Sequence, residues 1–401
     1  MALTRMGTAL KYPSFRRFFT GSLITQFGDQ VQRIALMVLV YQLTGSAAKV
    51  AFVLSAQFLV SVFLAPFLAA WAEGQERRRL LVLSQLIQGG IVALIPLVAA
   101  HSLLGLWLFV FVMTLFERLE YPLIAAITPE LVPEEALDDA NGLVAFTKRF
   151  SEVLGVGLAG LLVAWLGPAL AFYLDAASFL LTAALFLGLP VLPPKGRPQG
   201  GYWQRVWEGF AFILKKPVLR RVTGGLTAAA LFSSVEIVIG VVLALGVLKV
   251  GSAGYGAMEM SLAAGAALGS VLAARWIPRL GRARAFILAI ILFGLFNFLI
   301  GAFPVFWWVL VAYFLAGHFN GAMLVPVRGL LQTHTPKEML VRVFGAVGSM
   351  TSAAVLLGTV IGGPVADAIG VPLTYMIAGG LTVLLGLYLF LVGVPEEEAA
   401  S

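Results

Sequence analysis

The sequence predicts an all-α membrane protein with twelve transmembrane helices in two pseudo-symmetric six-helix halves. Three observations predict it. The 401 residues are 60% hydrophobic and only 12% charged, with a mean hydropathy of +0.96, whereas a soluble domain carries about a quarter charged residues. The apolar residues gather in runs of the length, about 20 residues, that crosses a hydrocarbon core as a helix. Short motifs also recur at a nearly constant offset, once in each half of the chain.

The predicted spans of the first half are 18–43, 50–71, 80–100, 103–128, 137–165 and 168–189; those of the second are 222–247, 254–274, 285–303, 305–330, 341–368 and 371–393. Helices are expected because lipid leaves backbone polar groups no other partners. A membrane barrel would need short alternating strands instead of these long runs. "MALTRMGTALKYPSFRRFF" has basic residues but no short apolar stretch ending at a small-residue cleavage site, so the first run reads as a retained span.

Lys and Arg set the orientation. Placing the N-terminus inside puts Arg5, Lys11, Arg16 and Arg17 in the cytoplasm, followed by Arg77, Arg78 and Arg79 in the next inside loop. The central segment contributes Lys195, Arg197, Arg205, Lys215, Lys216, Arg220 and Arg221, and a later inside loop Arg275, Arg279, Arg282 and Arg284. The outside loops carry only Lys49 and Lys249. Both termini are therefore expected inside.

The chain divides into a first transmembrane domain at 1–190, a cytoplasmic linker at 191–219, a second transmembrane domain at 220–395 and an acidic tail at 396–401. In the linker, Trp203, Trp207, Phe210 and Leu214 recur at helical spacing, opposite Gln204, Arg205, Glu208 and Lys215. That pattern fits a helix lying at the inner membrane interface, or one packed beneath the bundle. The repeat shows in "VPEEAL" (132–137) against "TPKEML" (335–340), in "YPSFRRFFTG" (12–21) against "KPVLRRVTGG" (216–225), and in Gly155, Gly160 and Gly167 against Gly358, Gly363 and Gly370. Parallel repeats predict a pseudo-twofold axis along the membrane normal with a central site between the halves. The glycines of spans 5 and 11 predict close helix packing, either static or sliding during transport.

Several chemistries are excluded. There is no cysteine, so there is neither a disulfide nor a thiolate metal site. The histidines, at 101, 318 and 334, lie far apart, and no HExxH, EF-hand or phosphate-binding loop occurs. No cofactor, no catalytic constellation and no nucleic-acid partner is expected; the formal charge of +7 is dispersed between apolar runs.

The informative residues are charges inside spans. "TLFERLEYPL" places Glu117, Arg118 and Glu120 near the middle of span 4; Asp29 and Arg33 share a face of span 1; Glu236 lies mid-span 7; His318 and Asn320 lie in span 10, with Asn320 the repeat equivalent of Glu117. Charges in hydrocarbon are costly and usually face a bundle interior or a water-filled cavity. Four acids against two arginines give a net negative site suited to a cationic substrate, and burial of a carboxyl permits proton coupling. A purely structural ion network accounts for the same residues.

"FRRFFTGSLITQFGDQVQRIALMVLVYQLTGSA", "AAWAEGQERRRLLVLSQL", "PELVPEEALDDANGL", "FYLDAASFL" and "VWEGFAFILKKPVLRRV" resemble a major facilitator superfamily transporter of the bacterial drug and siderophore exporter branch, over nearly the whole chain. The resemblance implies that superfamily's fold, with spans 1, 4, 7 and 10 around a central cavity and alternating access between the halves. It implies a proton-coupled antiporter in the bacterial cytoplasmic membrane, a monomer whose partners are a small-molecule substrate, protons and lipid. It also implies a gating loop between spans 2 and 3 with Glu73, Glu76, Arg77 and Arg78, for which a solvated charged turn is the plain alternative. Ala69, Glu73 and Gly74 depart from the usual loop pattern, and Val156 replaces the usual proline of the span-5 glycine motif. The alternative functions are a lipid or nutrient carrier, or a non-transporting receptor or scaffold.

Overall fold

In the computed structural model, every regular element is helical across the residues described, 8–72, 75–191, 193 and 202–394. The helices are α1 (Pro13–Thr44), α2 (Ala47–Leu59), α3 (Ala65–Ala72), α4 (Arg77–His101), α5 (Leu103–Leu131), α6 (Leu137–Phe150), α7 (Val156–Leu187), α8 (Tyr202–Lys215), α9 (Pro217–Ser233), α10 (Val235–Val242), α11 (Gly251–Leu280), α12 (Arg282–Ala302), α13 (Phe306–Thr333), α14 (Leu340–Ile369) and α15 (Val371–Val392). Wide π turns at Val60–Leu64 and Ser151–Gly155 carry the chain through without a break, and one at Leu243–Val247 ends the helical stretch that contains α10. Among the described residues, nine helical stretches are long and apolar enough to cross a membrane. The chain is thus an all-α, multi-span membrane protein.

One of those stretches, Glu134–Leu187, has 54 residues. At 1.5 Å per residue this is far longer than a hydrocarbon core is thick. The helix breaks at Gly167, where φ is 76° and ψ 161°, just before Pro168. Gly370, its equivalent in the sequence repeat, has φ 85° and ψ 151° and separates α14 from α15. A side chain is strained at such angles, so glycine marks both reversals.

The chain falls into two compact units, Met1–Leu43 with Leu59–Gln199, and Thr44–Phe58 with Gly200–Ser401. In the first, Phe15, Phe18, Leu81, Leu119, Leu123, Ile127 and Phe186 form a buried apolar cluster. In the second, Leu219, Val222, Phe286, Ile290, Leu331 and Val343 form another.

The segment Thr44–Phe58 belongs to the second unit through one carboxylate. Asp367, near the end of α14, accepts the backbone N–H of Ala47 at 2.8 Å, that of Ala48 at 3.1 Å, and the Ser46 hydroxyl. These are orphan donors of the α2 N-terminus, where negative charge is favoured. Gly363, one turn earlier on α14, lets the α2 backbone come close: a Cβ there would lie 2.7 Å from the Ala47 carbonyl oxygen.

Helix α8 answers the question left open by the linker sequence. Its Glu208 pairs with Arg342 at 2.5 Å, and Gly209 lies against the Arg342 carbonyl. Ile213 is 2% exposed, while Trp207 and Leu214, on the other side, are 74% and 61% exposed. The helix is packed against α14 and still presents an apolar face outward. The side chains of Trp203, Gln204 and Arg205, most of the linker before them and the acidic tail lie outside the described residues.

The closest helix pair is α11 with α13. A Cβ at Gly265 would lie 1.9 Å from the Phe314 carbonyl oxygen, and one at Gly269 1.9 Å from that of His318. Reciprocally, a Cβ at Gly317 would lie 2.0 Å from the Leu262 oxygen, and one at Gly321 2.1 Å from that of Ala266. Each helix thus offers two glycines four residues apart to the other's backbone, the small-residue packing by which membrane helices associate. The sequence expectation placed close packing in spans 5 and 11. Gly358 and Gly362 of α14 do meet Leu231 and Val235, but the tightest approach lies in "GAALG" and "GHFNG". Gly317→Ala is expected to lower the melting temperature of the detergent-purified protein, at a cost of about 1–3 kcal/mol for overpacking. Gly224→Ala, where a Cβ meets nothing within 4 Å, is expected to be neutral or stabilising by up to about 1 kcal/mol. Equal melting shifts for the two variants would contradict the packing.

Candidate functional site

In the first unit, Glu120 is the best-anchored of the predicted acids. The α4 residues Ser84, Gln85 and Gln88 are almost completely buried, and all three donate to Glu120 Oε1, at 2.8, 2.9 and 2.5 Å. Gln85 in turn accepts the Thr25 hydroxyl of α1 at 3.4 Å. A polar thread therefore joins α1, α4 and α5 across the interior of the unit. Its signal in the sequence is "SQLIQ", three polar residues on one face of an apolar run.

Glu117 differs. It is exposed and forms a long ion pair, 3.9 Å, with the adjacent Arg118, the two side chains being 46% and 41% exposed. Neutral amides and a hydroxyl hold Glu120, and Arg118 reaches Glu117. Helical spacing of three residues put the two acids on one side, but neighbouring helix α4 separates their environments. Asp29 is half-buried and lies in electrostatic range of Asp175, Glu117 and Glu120. Arg33, one turn along α1, is half-buried.

Asp175 on α7 was missed. It is 1% exposed; its Oδ1 accepts the Ser178 hydroxyl at 3.0 Å, and its Oδ2 is buried without a hydrogen-bond partner. It sits over Gly28, where a Cβ would come within 2.1 Å of Oδ1. The signal was present: an aspartate within the apolar run "AFYLDAASFLL".

The loop before α4 has a different geometry from a solvated turn. Glu73 lies outside the described residues. Glu76 caps α4, accepting the N–H groups of Arg78 at 3.0 Å and Arg79 at 2.9 Å. Arg77 is 3% exposed, paired with Glu130 of α5 at 2.6 Å and donating to the Pro193 carbonyl. Arg78 donates to the Leu189 carbonyl at 3.1 Å. These residues clamp the ends of α4, α5 and α7 inside the first unit.

In the second unit, Glu236 of α10 is 9% exposed, and its Oε1 has no hydrogen-bond partner. It lines a cavity with Ser233, Asn297, Tyr375 and Thr382. Tyr375 and Tyr313 share a hydrogen bond of 2.6 Å, and Glu259 of α11 lies in electrostatic range of Glu236. Tyr313, Tyr375 and Asn297 were not selected from sequence, because phenols and single amides are ordinary in membrane helices; Glu259, an acid within the span 254–274, carried the same signal as Glu236 and was missed. His318 and Asn320 are half-buried and do not line this cavity; the His318 ring rests edge-on against Phe319. Among the described residues no group of three or more His, Cys, Asp or Glu is arranged to hold a metal ion.

Buried carboxyls in apolar membrane helices usually face a bundle interior or a pathway. The chain matches the family described as transmembrane secretion effector over residues 7–401, and it belongs to that family of major facilitator superfamily transporters. It is 27% identical to the MFS-type transporter YfiS of Bacillus subtilis strain 168, over 94% of this chain and 92% of that one. It is 26% identical to the enterobactin exporter EntS of Escherichia coli O6:K15:H31, over 96% and 91%. In fold it is similar to the nucleoside transporter NupG, with a TM-score of 0.80 at 13% identity over 94% and 98% of the chains. It is similar too to a bacterial homologue of the iron transporter ferroportin in an inward-facing state, with a TM-score of 0.74 at 15% identity over 93% and 98%.

Arg77→Ala is expected to destabilise the purified protein by on the order of 3 kcal/mol, because it strands Glu130 and removes the tie to Pro193. Arg149→Ala, which breaks an exposed pair with Glu152, is expected to cost less than about 1 kcal/mol. Thermal unfolding in one detergent compares them.

Proposed function

We propose that this protein is a secondary active exporter of small amphipathic compounds, such as drugs or siderophores, coupled to protons and working by alternating access. The observation that carries the reading is Glu120: a carboxyl within an apolar span, held by three neutral donors. Ionisable groups placed at such cost in membrane helices usually serve a substrate or ion pathway. Family membership supports transport, and the relatives named as enterobactin exporters support the outward direction.

Twelve crossings are part of the proposal. The break at Gly167 divides one long stretch in two, and α1 and α5, with 32 and 29 residues, are each long enough to cross. Repeat-equivalent contacts support two related halves. Arg17 donates to the Gly188 carbonyl and Arg221 to that of Gly393, each at 2.7 Å. Arg77 binds Glu130, and Arg282 binds Thr333, at the corresponding positions. The Lys and Arg distribution supports cytoplasmic termini in a bacterial inner membrane. The protein acts as a monomeric carrier, without cofactor or catalysis.

Within this reading Glu120 and Asp29 respond to protons, Glu117 and Arg118 meet the substrate, and Arg77, Arg78 and Glu76 hold the inner end of the first unit together. The test uses proteoliposomes, a fluorescent cationic amphipath and an imposed proton gradient. Wild type is expected to drive uptake into inside-out vesicles. Glu120→Gln is expected to keep exchange of dye for dye while gradient-driven accumulation falls by about tenfold or more. Normal accumulation by Glu117→Gln and Glu120→Gln across the pH range would reduce "FERLE" to architecture. Lipid movement without dye flux would favour a lipid carrier.

A further inference from the structure

The polar groups around Glu236 present oxygen lone pairs, and most of their hydrogens are committed elsewhere. Asn297, 5% exposed, donates one N–H of its Nδ2 to the Phe293 carbonyl at 3.1 Å, which leaves Oδ1 and the second N–H available to a ligand. Thr382 donates its hydroxyl to the Ala378 carbonyl at 2.8 Å, and Ser233 turns its own toward that of Ala230. Of the two phenols, one donates to the other at 2.6 Å. Glu236 Oε1 is accordingly left buried without a donor. None of the residues lining the cavity is basic. Among the described residues the charged side chain in electrostatic range of Glu236 is Glu259, a second acid, and the titratable groups around it on the neighbouring helices are Glu259 and Tyr255 on α11, Tyr313 on α13 and Tyr375 on α15.

Gly240, one turn beyond Glu236 on α10, completes the arrangement. A Cβ there would lie 3.1 Å from Tyr313 Oη and 3.8 Å from Glu259 Oε1. The bare backbone therefore admits a phenol from α13 and a carboxyl from α11 to the same helix face. The cavity encloses at most about 210 Å³, below the ~300–1,000 Å³ of a small-molecule site. A space of that size, lined by the Glu236 carboxyl and by no basic side chain, with the Glu259 carboxyl in electrostatic range, fits a small cation and not an amphipathic substrate. Hard oxygen donors of this kind suit hard cations.

We infer that Glu236, Glu259, Asn297 and the Tyr313–Tyr375 pair form a binding site for one small monovalent cation, a proton or Na+, within the second unit. Its use in transport rests on the carrier function proposed above; the binding itself does not. The site is separate from the Glu120 thread, which is satisfied by neutral donors of the first unit. Binding neutralises Glu236 and relieves its repulsion with Glu259. The tyrosine pair links α13 and α15 beside the ion, so occupancy couples to the packing of α10, α11, α13 and α15.

The experiment uses the full-length protein purified in detergent without substrate. One arm measures retention of radiolabelled Na+ and its displacement by unlabelled Na+. The other records infrared spectra in Na+-free buffer at neutral pH, where a protonated carboxyl has its own C=O stretch. The expected result is a cation signal in one of the two arms that is lost in Glu236→Gln and kept in Arg149→Ala. Na+ retention identifies sodium; the carboxyl band identifies the proton. Wild type with neither signal, or Glu236→Gln with the wild-type signal, overturns the site. If Glu236→Gln does not fold, Tyr375→Phe decides: loss of one hydroxyl is expected to weaken cation affinity about fivefold, and an unchanged affinity overturns the proposal. Dye-for-dye exchange in proteoliposomes is measured on the same preparations. Cation binding without exchange rejects the exporter and keeps the site; exchange without a cation signal does the reverse.

Discussion

Hydrocarbon offers no hydrogen-bond partner, and the rest of this structure depends on that constraint. It forces the backbone into helices. It also removes the usual drive for helices to associate, since a leucine gains little by leaving lipid for protein. Association then depends on how close backbones can come. The α11–α13 pair shows the consequence: four glycines let two helix surfaces touch at the level of carbonyl oxygens. At the α2 N-terminus a polar contact is added to a glycine contact: Gly363 lets the backbones approach, and Asp367 accepts the N–H groups of Ala47 and Ala48.

The same constraint organises the helix ends. Arg17 and Arg221 each place a guanidinium on the last carbonyl of a helix, at Gly188 and Gly393. A cation there satisfies an orphan acceptor and meets the negative end of the helix dipole. Arg77 does more, joining a carboxylate and a carbonyl while almost wholly buried. The arginines from which the sequence analysis reads an orientation are also groups that fasten helix ends. One selection explains both, because a long side chain with several donors reaches carbonyls from the interface.

Much of this was legible in the sequence, and the exceptions have physical reasons. Hydropathy located the helical runs because lipid exposure imposes it over some twenty residues. The reversal at Gly167 was placed within a residue or two, since Gly-Pro cannot continue a helix. The start of the second span was put at 50, whereas α2 begins at Ala47; the cap that starts it comes from Asp367, more than three hundred residues away, and no local pattern encodes it. Glu120 and Glu236 were visible as charges in apolar runs. Their partners were less so. Ser84, Gln85 and Gln88 lie on another helix, and the rotation of α5 about its axis decides that Glu120 faces them while Glu117 does not. Asp175 carried the same signal as Glu120 and was passed over. Tyr313 and Tyr375 carried none, because their significance is a mutual hydrogen bond across two helices.

Glu120 and Glu236 show how two acids in similar apolar runs acquire different chemistry. Three donors converge on one oxygen of Glu120. The α4 side chains therefore hold that oxygen in place and leave the other to exchange a proton. Glu236 meets the opposite environment: the Thr382 hydroxyl and one N–H of Asn297 point to backbone carbonyls of their own helices, and Oε1 accepts no hydrogen bond. A cation arriving there breaks no hydrogen bond of the carboxyl and supplies the positive charge that the lining lacks. The difference does not come from the acids or from the helices that bear them. It comes from whether the polar residues opposite are free to donate, as the amides of α4 are, or are committed to their own backbone, as the Thr382 hydroxyl and one N–H of Asn297 are. In a medium without water, the direction of a neighbour's hydrogen decides which carboxyl is held and which is left open to an ion.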